Sequence, residues 1–288
     1  MNPDYATDKR MVRRSFDRAA ATYDGSAVLQ QEVGERMISR LEYVKIEPAR
    51  ILDAGSGTGR GARDLQKRYP DAGLLELDIS LAMLKKARPE LPWWKKPFSR
   101  ETLQVCGDIE HLPLGSSSMD MVWSNLALQW CNDLDRAFTE MGRVLKPKGL
   151  LMFSTFGPDT LKELRLAFPD RLAHVNRFSD MHDIGDALLH AGFSAPVMDM
   201  ECFTLTYSDV ASVLKDLKAI GAHNAMLGRP KGLFGKSAWK AMVGNYESFR
   251  REGLLPATFE VVYGHAWKPQ PNALPEGTSI VRFAERPK

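Results

Sequence analysis

Arg50-Ile-Leu-Asp-Ala-Gly-Ser-Gly-Thr-Gly59 is the stretch that decides the fold. A short apolar run reaches an acid, Asp53, and then glycines at positions 55, 57 and 59. Glycines at this density let backbone approach a ligand closely and adopt angles closed to other residues. Gly61 to Arg68 carries a helical pattern, so the loop opens onto a helix N-terminus. That end bears partial positive charge and free N–H groups, which suit an anionic ligand group.

A dinucleotide fold would need G-x-G-x-x-G. Gly55 and Gly57 fit that pattern, but its third slot holds Arg60 and the glycine sits one position early, at Gly59. Asp53, two residues before Gly55, would repel a pyrophosphate. The same carboxylate favours a ligand that carries a cation near its own carboxylate. S-adenosylmethionine has both, a methionine carboxylate and an ammonium beside a sulfonium. The bland alternative is a tight strand-to-helix turn with no ligand.

Strand-like runs alternate with helical patterns through the first half of the chain. The strands are expected at Arg50–Ala54, Gly73–Asp78, Leu103–Cys106, Met119–Ser124 and Leu150–Thr155. Helices are expected near Gly61–Tyr69, Leu81–Arg88 and Leu134–Leu145, with Pro147-Lys148-Gly149 as a turn into a strand. This is an α/β pattern: a Rossmann-like, mostly parallel sheet with helices on both faces. Further on come helices at Asp159–Ala167 and Asp180–Ala191, a strand at Val197–Thr206 and a largely helical region, Asp209–Glu252. An extended run, Thr258–Trp267, closes the pattern. The expected division is an N-terminal helical cap over 1–45, an α/β core over 46–206, a helical insertion over 207–255, and final strands over 256–288.

In open parallel sheets, ligands sit at the carboxyl ends of the strands. Asp78 ends the second strand, where an acid accepts hydrogen bonds from a ribose, with Ile79 beside it. Gly107-Asp108-Ile109 ends the third; Asp108 suits an adenine amino group and Ile109 the ring face. Ser124-Asn-Leu-Ala-Leu-Gln-Trp130 follows the fourth and supplies Asn125, Gln129 and Trp130. Phe16 to Tyr23 reads as an amphipathic helix, followed by an aromatic, that lies over the cofactor. His174-Val-Asn-Arg177-Phe sits in a loop, and the Arg177 guanidinium matches a carboxylate. No histidine has metal-ligand spacing, so no metal is expected.

The bulk properties narrow the class. A chain of 288 residues with three cysteines, unpaired in spacing, needs no disulfide framework and suits a reducing compartment. A start interrupted by Asp4, Asp8, Lys9 and Arg10 reads as no signal segment, and no run approaches a membrane span. A cytoplasmic protein without membrane or nucleic-acid partners is expected, since a net charge of +3 is too small to imply nucleic acid. From Arg229 to Arg251, six basic residues (Arg229, Lys231, Lys236, Lys240, Arg250, Arg251) face one acid, Glu247. They form either a solvated face or a docking patch for an acidic partner. Trp93 and Trp94, beside Lys95 and Lys96, belong to an interface or pack under a loop.

Phe16-Asp-Arg-Ala-Ala-Ala-Thr-Tyr23, Leu52-Asp-Ala-Gly-Ser-Gly-Thr-Gly59, Gly107-Asp-Ile-Glu110, Ser124-Asn-Leu-Ala-Leu-Gln-Trp130 and Asn176-Arg-Phe178 together resemble the malonyl-acyl-carrier-protein O-methyltransferases of biotin synthesis. Leu217-Lys-Ala-Ile-Gly-Ala222 and Tyr263-Gly-His-Ala-Trp267 extend the likeness, which runs from about Phe16 to Trp267. The Pro92–Phe98 insertion departs from it. The resemblance implies a class I methyltransferase fold and S-adenosylmethionine as methyl donor. It implies transfer to the free carboxylate of malonyl-acyl carrier protein, with that acidic carrier as partner. Tyr23, Asp53, Gly55, Gly57, Gly59, Asp78, Ile79, Asp108, Ile109 and Asn125 are then expected at the cofactor. Arg177, Gln129, Trp130 and His174 are expected at the reaction. Two alternatives stay open: methylation of another small acid or a quinone-like carbon, for which His174 would serve as base, and a non-methylating assembly relative.

Overall fold

Five strands and three helices of the first half fall within a few residues of their expected bounds, because each is punctuated by its own local chemistry. In the computed structural model, which describes residues 6–88, 102–170, 172, 174–229, 232 and 235–270, β1 (Arg50–Ala54), β2 (Gly73–Asp78), β3 (Leu103–Cys106), β4 (Met119–Asn125) and β5 (Leu145–Phe156) are parallel. Two long strands follow, β6 (Ser194–Tyr207) and β7 (Leu255–Trp267). The sheet order is β3-β2-β1-β4-β5-β7-β6, with β7 antiparallel to both β5 and β6. Order reverses between β1 and β4, which opens the crevice where ligands of such sheets bind.

Successive residues of a strand face opposite sides, so the central strands feed two cores. Ile51, Met121, Trp123 and Met152 pack on one face, under α3 (Val28–Arg40) and α4 (Arg60–Arg68). Leu52, Val122, Leu151 and Phe153 pack on the other, against α6 (Leu134–Val144) and α8 (Met181–His190). Several helix starts are fixed by side-chain caps, each satisfying N–H groups the helix cannot. Ser80 caps α5 (Leu81–Ala87), Asp133 caps α6, and Asp180 caps α8.

The N-terminal region is where expectation and structure part most. Helix α1 runs over Lys9–Ala19, capped by Asp8, rather than starting near Phe16. Tyr23 opens a separate turn, α2 (Tyr23–Ser26). Arg10, Arg13 and Arg14 hide the amphipathic repeat, whose buried positions are Val12, Ser15 and Ala19. Helix α1 is held across β2 by Asp17, which accepts the Ser80 hydroxyl at 2.7 Å and the Ala82 N–H at 3.3 Å.

Other differences have similar local causes. Pro147-Lys148-Gly149 does not separate helix from strand; it is an irregularity inside β5, with Lys148 at φ 65° and the register shifting between Met119 and Met121. Helix α7 spans only Lys162–Ala167, since Thr160 and Leu161 bond across to β7. Between β6 and β7 lie α9 (Val210–Ala219) and α10 (Lys236–Glu247), so the helical region stops short of Glu252. Trp93, Trp94, Lys231 and the expected terminal strand beyond Gly277 lie outside the described residues.

Gly264 of β7 sits opposite Phe153 of β5, and a Cβ there would collide with that ring. Overpacking a dense core costs about 1–3 kcal/mol. Gly264→Ala should therefore lower the unfolding free energy by that amount, seen as a lower urea midpoint with an unchanged slope; an unaltered midpoint would show that the sheet does not need this close approach.

Candidate functional site

The glycine loop lies between two recesses at the switch point, and a third, larger cavity opens beside them. Gly55 has φ 84°, and a Cβ there would strike the Ala127 methyl. Gly55 and Gly57 line both smaller recesses. Gly59 does not line either; it caps α4 at φ 75° and backs onto Glu76 and Ala87. Its requirement for glycine is a packing requirement.

One recess runs along the ends of β2 and β3, walled by Leu77, Ile79, Met83 and Ile109, with Asp78 and Asp108 at its polar positions. Asp78 accepts the Gly57 N–H at 2.9 Å and the Ser80 N–H at 2.7 Å, so it shapes the loop as well as facing the recess. Burial pushes its carboxyl up to about 6, against the pull of those two N–H donors. Asp108 accepts from Lys9 at 3.0 Å and from the Glu110 N–H at 3.1 Å, both through Oδ1. Lys9 also pairs with Glu110, whose Oε1 accepts the N–H groups of Asn132 and Asp133. Cys131 lines the same recess, and burial pushes its thiol up to about 12, which favours the neutral thiol over the thiolate.

The second recess lies on the other side of the loop, under α3. Among the described residues, five buried side-chain polar atoms have no hydrogen-bond partner, and four of them line this recess: Gln30 Oε1, Asp53 Oδ2, Ser56 Oγ and Trp123 Nε1. Unpaired buried polar atoms are costly, so four in one place mark a ligand's polar end. Burial, then Glu76 and Asp78, holds the Asp53 carboxyl well above the usual carboxylate range. Asn125, which borders both recesses, is committed to the Gln30 carbonyl (2.9 Å) and the Ser154 hydroxyl (2.8 Å).

The third cavity, about 300 Å³, is largely apolar, with Phe156, Leu161, Leu164, Leu217 and Phe259 among its walls. Tyr23 borders all three spaces, and Trp130 and Phe16, in edge contact at 5.3 Å, stand between this cavity and the β2–β3 recess. The Gln129 amide donates to the Leu126 carbonyl at 2.6 Å, which fixes its orientation and leaves its second hydrogen for another acceptor. His174 lines the cavity, stacked on Phe168 at 3.7 Å and bonded to Asp170 at 2.7 Å.

Arg177 is placed differently from its neighbours. Asn176 and Phe178 line the cavity, whereas Arg177 is exposed and is not among the lining residues. Some of the basic residues near α10 are engaged locally. Arg250 clamps Glu247 and the carbonyls of Ser208 and Gly253, and Arg251 donates to the Arg250 carbonyl. Arg229 donates to the Met226 carbonyl, which leaves Lys236 and Lys240 as the exposed pair on the helix. Sequence reasoning missed Lys9, Gln30, Ser56 and Trp123. Only Ser56, inside the glycine loop, carried a local signal.

Residues 52–153 match a family model described as a methyltransferase domain. The chain is 59% identical to the malonyl-acyl-carrier-protein O-methyltransferase of Gallionella capsiferriformans, over 97% of each chain. It is 58% identical to the enzyme of the same name from Nitrosospira multiformis, over 94% of this chain and 92% of that one. Among solved structures, the YcgJ protein of Bacillus subtilis shares the fold, with a TM-score of 0.57 at 17% identity, covering 84% of this chain and all of the other (100%).

Asp78 generates a stability signature. Its folded value, about 6, lies above its ordinary 3.8, so the native state holds the proton more tightly than the unfolded state. The stability it contributes is present below the lower value, is lost as pH rises through the upper one, and is flat beyond. The span corresponds to roughly 3 kcal/mol at most. Asp78→Asn lacks that loss, so the melting temperature of the variant relative to the parent should climb between these two pH values and then level off. A gap independent of pH would refute the assignment.

Proposed function

The chain belongs to the malonyl-acyl-carrier-protein O-methyltransferase family, and from that we propose that it methylates the free carboxylate of a malonyl group carried on acyl carrier protein, using S-adenosylmethionine. The reaction would produce the methyl ester at the start of biotin synthesis. The observation that carries the cofactor assignment is the set of four orphaned polar atoms behind a glycine loop. Asp53 suits the ammonium of the methionine portion, with Gln30 Oε1 as a further acceptor and Ser56 and Trp123 as donors. Asp78 suits the ribose hydroxyls. Asp108, through the oxygen that Lys9 leaves free, suits the adenine amino group between Ile79 and Ile109. Tyr23, Gly55, Gly57 and Asn125 frame the junction. Gly59 supports the loop from behind.

When bound, S-adenosylmethionine supplies an electrophilic methyl group on a sulfonium. The acceptor carboxylate is already ionised at neutral pH, so the chain has no proton to remove. What its residues contribute is alignment and exclusion of water, and positioning can supply roughly 7–11 kcal/mol. Tyr23, Trp130 and Phe16 wall off the junction. Gln129 holds an amide hydrogen ready for one carboxylate oxygen, leaving the other free to attack. Arg177, outside the cavity wall, acts on arrival of the carboxylate rather than at its final position. His174 stays a wall group in this reading, held by Phe168 and Asp170.

Incubation with labelled S-adenosylmethionine and malonyl-acyl carrier protein should give a base-labile methyl ester, and acetyl-acyl carrier protein should give none. Label on both carriers, or on neither, would sink the reading. Gln129→Ala should lower kcat by about tenfold, as loss of one hydrogen bond to a charged group implies. Arg177→Ala should act chiefly on KM, and the reverse pattern would exchange the two roles.

The Asp53 carboxyl starts high, and an ammonium beside it would bring it down. Cofactor binding should therefore release protons above the ordinary carboxylate range, and affinity should rise with pH there. Calorimetry in buffers of different ionisation enthalpy reads this release directly. Its persistence in Asp53→Asn would reassign the proton.

A further inference from the structure

The third cavity opens at a seam between α1 and α9, where the chain collects basic side chains and gives them no counter-ions. Gly221, just past α9, packs against Phe16 and Ala19, and the Thr22 hydroxyl donates to the Ala219 carbonyl at 3.3 Å. Lys218 and His223 line the cavity at this end. Arg18 and Lys218 both act on His223, and after burial they are the causes that lower its pKa, so two cations stand close to an imidazole they keep neutral. Arg10, Arg14 and Arg18 recur every four residues on α1, share one exposed face and continue the positive strip away from the seam.

Position beside the cavity, together with the lack of ion pairs, distinguishes this strip. Several cations elsewhere are matched: Arg36 with Glu32 and Glu201, Arg40 with Asp199 and Glu201, Arg60 with Glu35, Arg143 with Glu140. Among the described residues, Arg10, Arg14, Arg18 and Lys218 have no such ion pair. The nearby acids are engaged elsewhere, Asp17 at the start of α5 and Asp216 by the Tyr207 hydroxyl at 2.7 Å. Like charges held together unpaired raise the local potential and steer an acidic partner to the opening.

We propose that the acidic carrier protein docks on this α1–α9 collar, with Arg10, Arg14 and Arg18 as its contacts, and not on Lys236 and Lys240 of α10. The proposal rests on the functional reading above. A carrier must deliver a tethered acyl group into the cavity, and Lys218 and His223 at the end of the strip line that cavity, whereas α10 contributes no lining residue and packs against α7. Interface charges of this kind set the rate of encounter and its dependence on salt more than the chemistry.

The test compares two substrates, malonyl-acyl carrier protein and malonyl-N-acetylcysteamine, a thioester with no protein attached. For the double variant Arg14→Glu/Arg18→Glu, kcat/KM with the carrier should fall about tenfold or more. Activity on the small thioester should hold, which also shows that the variant is folded. The salt dependence seen with the parent protein and carrier should flatten. Equal losses on both substrates, no loss on either, or a carrier-specific loss confined to Lys236→Glu/Lys240→Glu would each overturn the docking site. If the unaltered protein methylates neither thioester, the functional reading fails first and the docking site falls with it.

Discussion

Two carboxylates buried side by side, Asp53 at the end of β1 and Asp78 at the end of β2, are the constraint on which the rest of the molecule depends. Burial raises both, Asp78 adds to the difficulty of ionising Asp53, and Glu76 acts on both. A fold keeps such groups only where something compensates them. Asp78 is partly compensated from within, by the N–H groups of Gly57 and Ser80. Asp53 accepts the Ala62 N–H but leaves Oδ2 without a partner, as do Gln30 Oε1, Ser56 Oγ and Trp123 Nε1 around it. The polarity left unpaired here is what the proposed cofactor's donors, acceptor and positive charge would satisfy.

The N-terminal helix solves the complementary problem of keeping water out. Its hold on the sheet is specific: Asp17 binds the cap of α5, Lys9 reaches Asp108 and Glu110, and Thr7 exchanges hydrogen bonds with Asn132. The Thr7–Met226 bridge ties it in turn to the segment after α9. One helix thus covers the β2–β3 recess, supplies Phe16 to the larger cavity, and meets α9 at that cavity's mouth.

Much of this was readable from local chemistry. The glycine spacing with Asp53 ahead of it, the acids at the ends of β2 and β3, and the strand–helix rhythm all act within a few residues, so they survive in a linear reading. Asn125, Gln129 and Trp130 border the cavities because they follow a central strand. Arg177 shows the limit: its residue type suited a carboxylate, but the loop's path turns Asn176 and Phe178 inward and leaves it exposed. Arg250 shows another, since its charge is spent on Glu247 and two carbonyls within its own turn.

The sequence by itself determined the sheet, its direction and the class of ligand, because period, capping and glycine conformation are properties of neighbouring residues. Only the tertiary structure decided that Gln30, Ser56, Asp53 and Trp123 converge on one recess. Those side chains come from a helix, a loop and two strands, and their lack of partners exists only once the chain has closed around them. The same holds for the cationic collar. Ion pairing between distant segments decides which charges are neutralised, and a list of charges along the chain contains no trace of that choice.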